Sequence, residues 1–192
     1  MSKIAVFGGS FDPVHNSHIQ IVEFALESRK FTKVIFVPAY SPPHKSRQYA
    51  AVEDRIAMLR LAVQGLGGIE INLYEVLKKG VVYSYQTLDH FHYLYPHDEI
   101  YMIIGSDSLL DLPTWKNIDY LAGSYKFMVV KRPGVKIGKN TKYLDRCIFA
   151  ENEAGDISST MIRHMIKENS QKTHLFLNEK VYDYIVKRRL YK

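Results

Sequence analysis

The sequence predicts an α/β fold of the doubly wound type, built on a mostly parallel β-sheet. Short apolar runs typical of buried strands alternate with stretches of helical periodicity along all 192 residues. Neither a Pro- or Ser-rich linker nor an internal repeat interrupts this alternation, which is the pattern of βαβ units. We therefore expect residues 1–192 to form a single domain with a small helical part at its C-terminal side.

Six apolar stretches carry the strand signal, and the segments between them carry most of the helical periodicity. The predicted strands are residues 4–7, 33–37, 69–73, 99–104, 126–130 and 147–149. Six helices are predicted between and after these strands. The first ends near residue 28, the second runs from 53 to the glycines at 65–68, and the third runs from 83 to Pro96. The last three begin near residues 109, 159 and 178. The polar segment 135–145 is expected to be a surface loop.

Composition limits the classes of protein that the chain can represent. A formal net charge of +6 suits anionic ligands, but the tightest basic cluster, residues 187–189, is typical of a solvated helix end. We therefore expect no nucleic-acid or membrane partner. The single cysteine, Cys147, excludes an intrachain disulfide and suits a cytoplasmic location. No apolar run reaches the length of a membrane span or a signal-peptide core. The sequence is compatible with a homo-oligomer.

The segment GGSFDPVHNSH, residues 8–18, joins the first predicted strand to the first helix. Paired glycines let the backbone approach a ligand closely, and a helix N-terminus offers N–H groups and a positive dipole to an anion. His15 and His18 are three residues apart, so both project from the same side of the first helical turn. The segment therefore predicts a phosphate site, although two surface histidines or half of a metal site would show the same spacing.

Further candidate residues follow predicted strands or begin predicted helices. Lys45 lies in the segment PPHK after the second strand, where a rigid connector with an exposed lysine is the alternative. Asp107 follows the fourth strand and is placed either to bind a ribose or adenine or to cap the next helix. Trp115 is either a core residue or a flat wall for a ring. The segment SSTMIR, residues 158–163, makes a second helix start suited to anions, and capping accounts for only one of its hydroxyls.

These motifs resemble those of the H-x-G-H nucleotidyltransferase superfamily, whose signature reads G-G-x-F-D-P-x-H-x-G-H. Ser17 stands where the signature has its last glycine. The segments PPHK, GSD, VKRPG and ISST…R follow in the order found in the bacterial nicotinate mononucleotide adenylyltransferases, and the match runs from Gly8 to Arg163. The Y-T-x-D-T-L segment of that family here reads YSYQTL, with Ser84 for threonine and Gln86 for aspartate.

The resemblance implies a Rossmann-like nucleotidyltransferase fold and the transfer of AMP from ATP to nicotinate mononucleotide. The products would be nicotinic acid adenine dinucleotide and pyrophosphate, in NAD biosynthesis, and Mg²⁺ would be carried by ATP without a protein metal site. The catalytic residues implied are His15, His18, Lys45 and Arg163. The residues implied for ATP are Gly8, Gly9, Ser10, Phe11, Gly105, Asp107, Arg132, Ser159 and Thr160, and those for the mononucleotide are Ser84, Trp115 and Lys116.

Other classes of protein share some of these features. A pantetheine-phosphate adenylyltransferase or a cytidylyltransferase would have the histidines, but neither is expected to combine PPHK, the region of Trp115 and ISST. A non-catalytic nucleotide sensor on this fold would usually lack a histidine or the arginine, and this chain has them all. A nucleic-acid-binding module would need a continuous basic stripe with aromatic residues, which the sequence lacks.

Overall fold

The structure, a computed structural model, describes residues 1–28, 30–41, 48–150 and 157–192. Within these residues six strands form one sheet: β1 (Lys3–Gly9), β2 (Lys33–Pro38), β3 (Ile69–Ile71), β4 (Glu99–Gly105), β5 (Lys126–Val130) and β6 (Cys147–Phe149). Their order is β3-β2-β1-β4-β5-β6, and every neighbouring pair is parallel. The predicted doubly wound α/β fold is confirmed.

Eight α-helices lie in the described ranges, and most of them cover the two faces of the sheet. They are α1 (Asn16–Glu27), α2 (Val52–Val63), α3 (Tyr74–Lys78), α4 (Ser84–Leu94), α5 (Ser106–Asp111), α6 (Ile118–Ser124), α7 (Ser159–Lys167) and α8 (Glu179–Arg188). Three short 3₁₀ helices are found at Leu112–Thr114, Leu144–Arg146 and Gln171–Phe176. The last of these and α8 form the helical part predicted for the C-terminal side.

Side chains of the strands enter two apolar layers, one on each face of the sheet. In β2, Val34 and Phe36 enter the first layer and Ile35 and Val37 the second, and all four are fully buried. Helices α1, α2 and α8 cover the first layer, and α4, α5 and α6 cover the second. Burial on both faces explains why the strands appear in the sequence as continuous apolar runs rather than as alternating ones.

The direction of the strand order reverses at β1. This strand pairs with both β2 and β4, while α1 packs on the first apolar layer and α5 on the second. The connections after β1 and β4 therefore leave on opposite faces of the sheet and open a crevice at the carboxyl ends of the two strands. Gly9 ends β1 and Gly105 ends β4, so the glycines singled out in the sequence lie at this crevice.

Three local features differ from the sequence prediction. Strand β3 ends at Ile71 rather than 73, and the next residues turn into α3: the Asn72 side chain accepts a hydrogen bond from the Tyr74 N–H (2.9 Å), and Leu73 is the N-cap. Helices α3 and α6 were not predicted, since both are too short to show a clear helical period. The capping interpretation of Asp107 is wrong, because Gly105 is the N-cap of α5 and Asp107 lies in its first turn.

Arg55, on α2, is fully buried beneath the first loop. Its guanidinium donates hydrogen bonds to the carbonyl oxygens of Ser10 (2.6 Å) and Ala39 (2.8 Å) and to Oε1 of Gln48 (3.0 Å). Burial lowers the pKa of this arginine, and the nearby charge of Asp12 opposes that effect. One cation thus joins the loop after β1, the end of β2 and the segment that begins at residue 48.

We predict that Arg55→Met lowers the free energy of unfolding by about 3 kcal/mol, because buried carbonyl oxygens lose their donors, at roughly 1–3 kcal/mol each. Urea denaturation measures the change. Arg60→Met is the matched control, since Arg60 is an exposed residue in the last turn of the same helix. Equal losses in the two variants would contradict the role assigned to Arg55.

Candidate active site

A cavity of about 700 Å³ opens at the carboxyl edge of the sheet, beside the ends of β1 and β4. Its volume falls in the range of ligand pockets, roughly 300–1,000 Å³. Most of the predicted site residues line it: Gly8, Gly9, Ser10, Phe11, His15, His18, Ser84, Gly105, Asp107, Trp115, Lys116, Arg132, Ser159 and Thr160. Lys45 lies outside the described residues. Arg163 is adjacent to the lining, bound to Asp12 and Thr160.

The two predicted histidines form a close pair at the start of α1. His15 is the N-cap residue, and its ring centroid lies 3.7 Å from that of His18. The backbone N–H of His15 donates to Nδ1 of His18 (3.2 Å), so Nδ1 is an acceptor and the remaining nitrogen, Nε2, can donate when the ring is neutral. Burial, with a smaller contribution from the charge of Arg132, lowers the pKa of His15 from 6.5 to about 4. His15 is therefore neutral at physiological pH.

The loop between β1 and α1 supports this pair from the protein side. The Phe11 ring is buried and packs edge-on against His18, with centroids 5.2 Å apart. Phe11 has a positive φ of 48°, which few residues other than glycine adopt. A Cβ on Gly9 would lie 2.9 Å from the Phe11 ring, so only glycine fits there without movement. Ser17, where the family signature has glycine, is also buried, and its Oγ makes no hydrogen bond within the described residues.

The end of β4 places a second group of predicted residues on the cavity wall. Arg132 and Asp107 form an ion pair, with 3.2 Å between Nε and Oδ1. The angle at the N–H is too far from linear for a hydrogen bond. The Arg132 backbone N–H donates to the hydroxyl of Ser106 (2.9 Å), which fixes the chain after β5 against α5. A Cβ on Gly105 would lie 2.8 Å from Arg132 Nε and would also clash with the Asp107 carboxylate. A larger residue at position 105 would therefore force the side chains of this ion pair to move.

Three hydroxyl groups lie at the N-terminus of α7, and one of them attaches the helix to the first loop. The Ser158 hydroxyl caps the helix by accepting from a backbone N–H three residues on (3.2 Å). The Ser159 hydroxyl donates to the carbonyl oxygen of Pro13 (2.9 Å), and Thr160 Oγ1 accepts from Arg163 Nη2 (2.9 Å). Capping thus accounts for one hydroxyl, as the sequence predicted, while Ser159 connects α7 to the first loop and Thr160 binds Arg163 of the same helix.

The residues predicted to bind the mononucleotide all line the cavity, with Ser84 on its α4 side. Ser84 is the first residue of α4, and Lys116 is exposed. Trp115 is half-buried, since it packs against the second apolar layer and also lines the cavity. Trp115 therefore belongs partly to the core, and its role as a wall for a ring stays a prediction.

Glu75, on α3, lines the same side of the cavity and was not identified from the sequence. Its Oε1 accepts a hydrogen bond from the Thr87 hydroxyl (2.7 Å), and burial raises the pKa of its carboxyl group. Its position just beyond the carboxyl end of β3 is the signal that would have identified it. Gln86, one of the two departures from the family segment, stabilises the start of α4, since its Oε1 accepts from the N–H of the N-cap residue Tyr83 (3.0 Å).

The described parts of the chain contain no group of three or more His, Cys, Asp or Glu side chains placed to hold a metal ion. None of their helices combines the length and the apolar character that crossing a membrane requires.

Fold and cavity define a doubly wound α/β protein with a site of ligand size at the switch point of its sheet. A family profile described as "Cytidylyltransferase-like" matches residues 6–165. Relatives described as probable nicotinate-nucleotide adenylyltransferases align over the full length of both chains, with 61% identity in Endomicrobium trichonymphae and 38% in Clostridium tetani. The chain belongs to this cytidylyltransferase-like family, and its full-length relatives confirm the resemblance to the nicotinate mononucleotide adenylyltransferases that its motifs indicated.

A solved structure shows the same fold in a more distant protein. The nicotinic acid mononucleotide adenylyltransferase of Plasmodium falciparum, complexed with NaAD, superposes with a TM-score of 0.83. The alignment covers 100% of this chain and 98% of that one, at 22% identity. At this identity the likeness establishes the fold, and it confirms the Rossmann-like architecture that the resemblance implied.

We predict that burial of neutral His15 makes the folded protein less stable at mildly acidic pH. Its folded pKa of about 4 lies below the ordinary 6.5, so its contribution is fully present above pH 6.5. As the pH falls toward 4, only the unfolded chain takes up the proton, and about 3 kcal/mol is lost. Urea denaturation from pH 7 to 4 should show a smaller loss in His15→Gln than in the parent. A variant of the exposed His97, His97→Gln, should retain the parent's pH dependence. An unchanged profile in His15→Gln would refute the assignment.

Proposed function

We propose that this chain transfers AMP from ATP to nicotinate mononucleotide and forms nicotinic acid adenine dinucleotide and pyrophosphate. One observation carries the proposal: His15 and His18 stand together at the N-terminus of α1, inside a cavity of ligand size at the switch point of the sheet. The name of the full-length relative at 61% identity supports the same reaction.

In this reaction a phosphate oxygen of the mononucleotide attacks the α-phosphorus of ATP in line. A new P–O bond forms as the bond to pyrophosphate breaks, so no nucleophile from the protein is needed. Catalysis then consists of positioning the two substrates and stabilising charge on the leaving group. His18 would donate from Nε2 to a phosphate oxygen, because its Nδ1 is held as an acceptor. His15 would contact the phosphates as a neutral ring.

The remaining contacts to ATP would come from residues on the two sides of the crevice. Backbone groups of the loop at residues 8–11 and of Gly105, together with Asp107 and Arg132, would surround the adenosine and the α-phosphate. Lys45, Arg163 and the N-terminus of α7, with Ser159 and Thr160, would hold the β- and γ-phosphates and the substrate phosphate. Mg²⁺ would arrive on the triphosphate, where phosphate oxygens and water satisfy its preference for oxygen ligands.

The acceptor would bind on the α4 side, where Trp115 offers a ring face and Ser84 begins a helix. The pyridine ring would stack on Trp115, and its carboxylate would accept hydrogen bonds from backbone N–H groups near Ser84, Trp115 and Lys116. We further propose that residues 1–192 act as one nucleotidyltransferase domain in the cytoplasm, where the thiol of Cys147 stays reduced. A homo-oligomer remains a prediction.

Pyrophosphate release from ATP with a panel of acceptors tests the proposed reaction. Nicotinate mononucleotide should give the highest kcat/KM, ahead of nicotinamide mononucleotide. Phosphopantetheine as the acceptor tests for pantetheine-phosphate adenylyltransferase activity. CTP with sugar or choline phosphates tests for cytidylyltransferase activity. A preference for one of those substrates would reassign the chain within its family.

We predict that His18→Ala lowers kcat by about 100- to 1,000-fold, which is the usual cost of losing one donor aimed at transition-state charge. Circular dichroism should show an unchanged fold. His97→Ala removes an exposed histidine and should leave kcat unaltered. A folded His18→Ala enzyme with near-normal kcat would exclude the proposed role.

We predict that the choice between acid and amide depends on backbone donors rather than on Lys116. Lys116→Ala should therefore leave the ratio of kcat/KM for nicotinate and nicotinamide mononucleotides nearly unchanged. Trp115→Ala should lower kcat/KM for both by about tenfold, through loss of stacking. A collapse of the ratio in Lys116→Ala would instead assign the carboxylate to that side chain.

A further inference from the structure

Three groups of the protein hold the Arg163 guanidinium in place. Nη1 donates to the carbonyl oxygen of Asp12 (2.7 Å), and Nη2 donates to Thr160 Oγ1 (2.9 Å). The third is the Tyr49 ring, whose centroid lies 4.1 Å from Cζ. This separation is typical of a guanidinium over an aromatic face, where cation–π attraction adds to dispersion.

Tyr49 is itself fixed through the same aspartate. Its backbone N–H donates to Asp12 Oδ2 (2.8 Å), and the N–H of Ala50 donates to Oδ1 (3.2 Å). The Tyr191 hydroxyl completes the set by donating to Oδ1 (2.7 Å). Asp12 is buried, so its carboxylate fixes the backbone of Tyr49 while its carbonyl oxygen fixes Arg163.

The ring of Tyr49 is 55% exposed, so burial in the core does not account for its position. Two of the five N–H donors of Arg163 are used by Asp12 and Thr160, which leaves others for an anion. An arginine held flat before its ligand arrives loses less side-chain entropy on binding. The stack therefore favours a single orientation of the guanidinium.

We propose that Tyr49 is a positioning residue: its ring orients the Arg163 guanidinium toward the phosphates of ATP. The inference rests on the role proposed for Arg163 in the transfer reaction. It adds a residue outside the signature motifs to the phosphate site.

The test compares Tyr49→Ala, Tyr49→Leu and Tyr49→Phe, each alone and in an Arg163→Ala background. Calorimetry gives the Kd for ATP, and steady-state assays with nicotinate mononucleotide give kcat and KM. Tyr49→Ala and Tyr49→Leu should each lower kcat/KM for ATP by about tenfold, or ~1.4 kcal/mol, with a matching weakening of ATP binding. Tyr49→Phe keeps the aromatic face and should stay within about twofold of the parent. Tyr93→Ala removes a tyrosine that is 82% exposed on α4 and serves as the control.

Non-additivity separates positioning from a merely structural role. In the Arg163→Ala background, loss of the Tyr49 ring should have no further effect on ATP affinity. The same cost in both backgrounds would overturn the proposal, as would parent-like ATP affinity in Tyr49→Ala. If the parent enzyme binds ATP but releases no pyrophosphate with nicotinate mononucleotide, the proposed function fails, while the ATP affinities still decide the role of Tyr49.

Discussion

Adjacent parallel strands cannot be joined by a tight turn, so each connection must cross one face of the sheet. The connection after β1 crosses one face and the connection after β4 crosses the other, since α1 packs on one apolar layer and α5 on the other. The two connections diverge, and the space between them stays open at the carboxyl ends of the strands. The cavity is therefore a consequence of strand order, and Gly9 and Gly105 lie in it because they end the two strands that flank the reversal.

An open crevice also needs walls that keep their separation, and buried polar contacts across distant parts of the chain provide this. Arg55 joins the first loop to the end of β2, and the Ser159 hydroxyl joins α7 to Pro13. Asp12 accepts from the segment after residue 48 and from Tyr191. Each contact satisfies a buried or half-buried polar group, so movement of one wall would leave such groups unpaired, at roughly 1–3 kcal/mol each.

The sequence predicted those features that depend on local pattern. Apolar runs located all six strands, and the spacing of His15 and His18 predicted a pair that shares one helical turn. What it did not predict depends on distant partners or on very short elements. Arg55 looks like an ordinary polar residue of a helix, yet its hydrogen bonds reach residues 45 and 16 positions away. Glu75 lies on a five-residue helix, over which a 3.6-residue period cannot be recognised.

The hydrogen bond between Tyr191 and Asp12 joins residues 179 positions apart. Its consequence concerns synthesis rather than catalysis. The ribosome makes the first loop early, but one of the donors to the Asp12 carboxylate arrives only when residue 191 has emerged. A partly translated chain can pair β1, β2 and β4 while this loop still has one acceptor facing solvent. The loop that carries Asp12 is thus synthesised well before Tyr191, which supplies one of the hydrogen bonds that hold it.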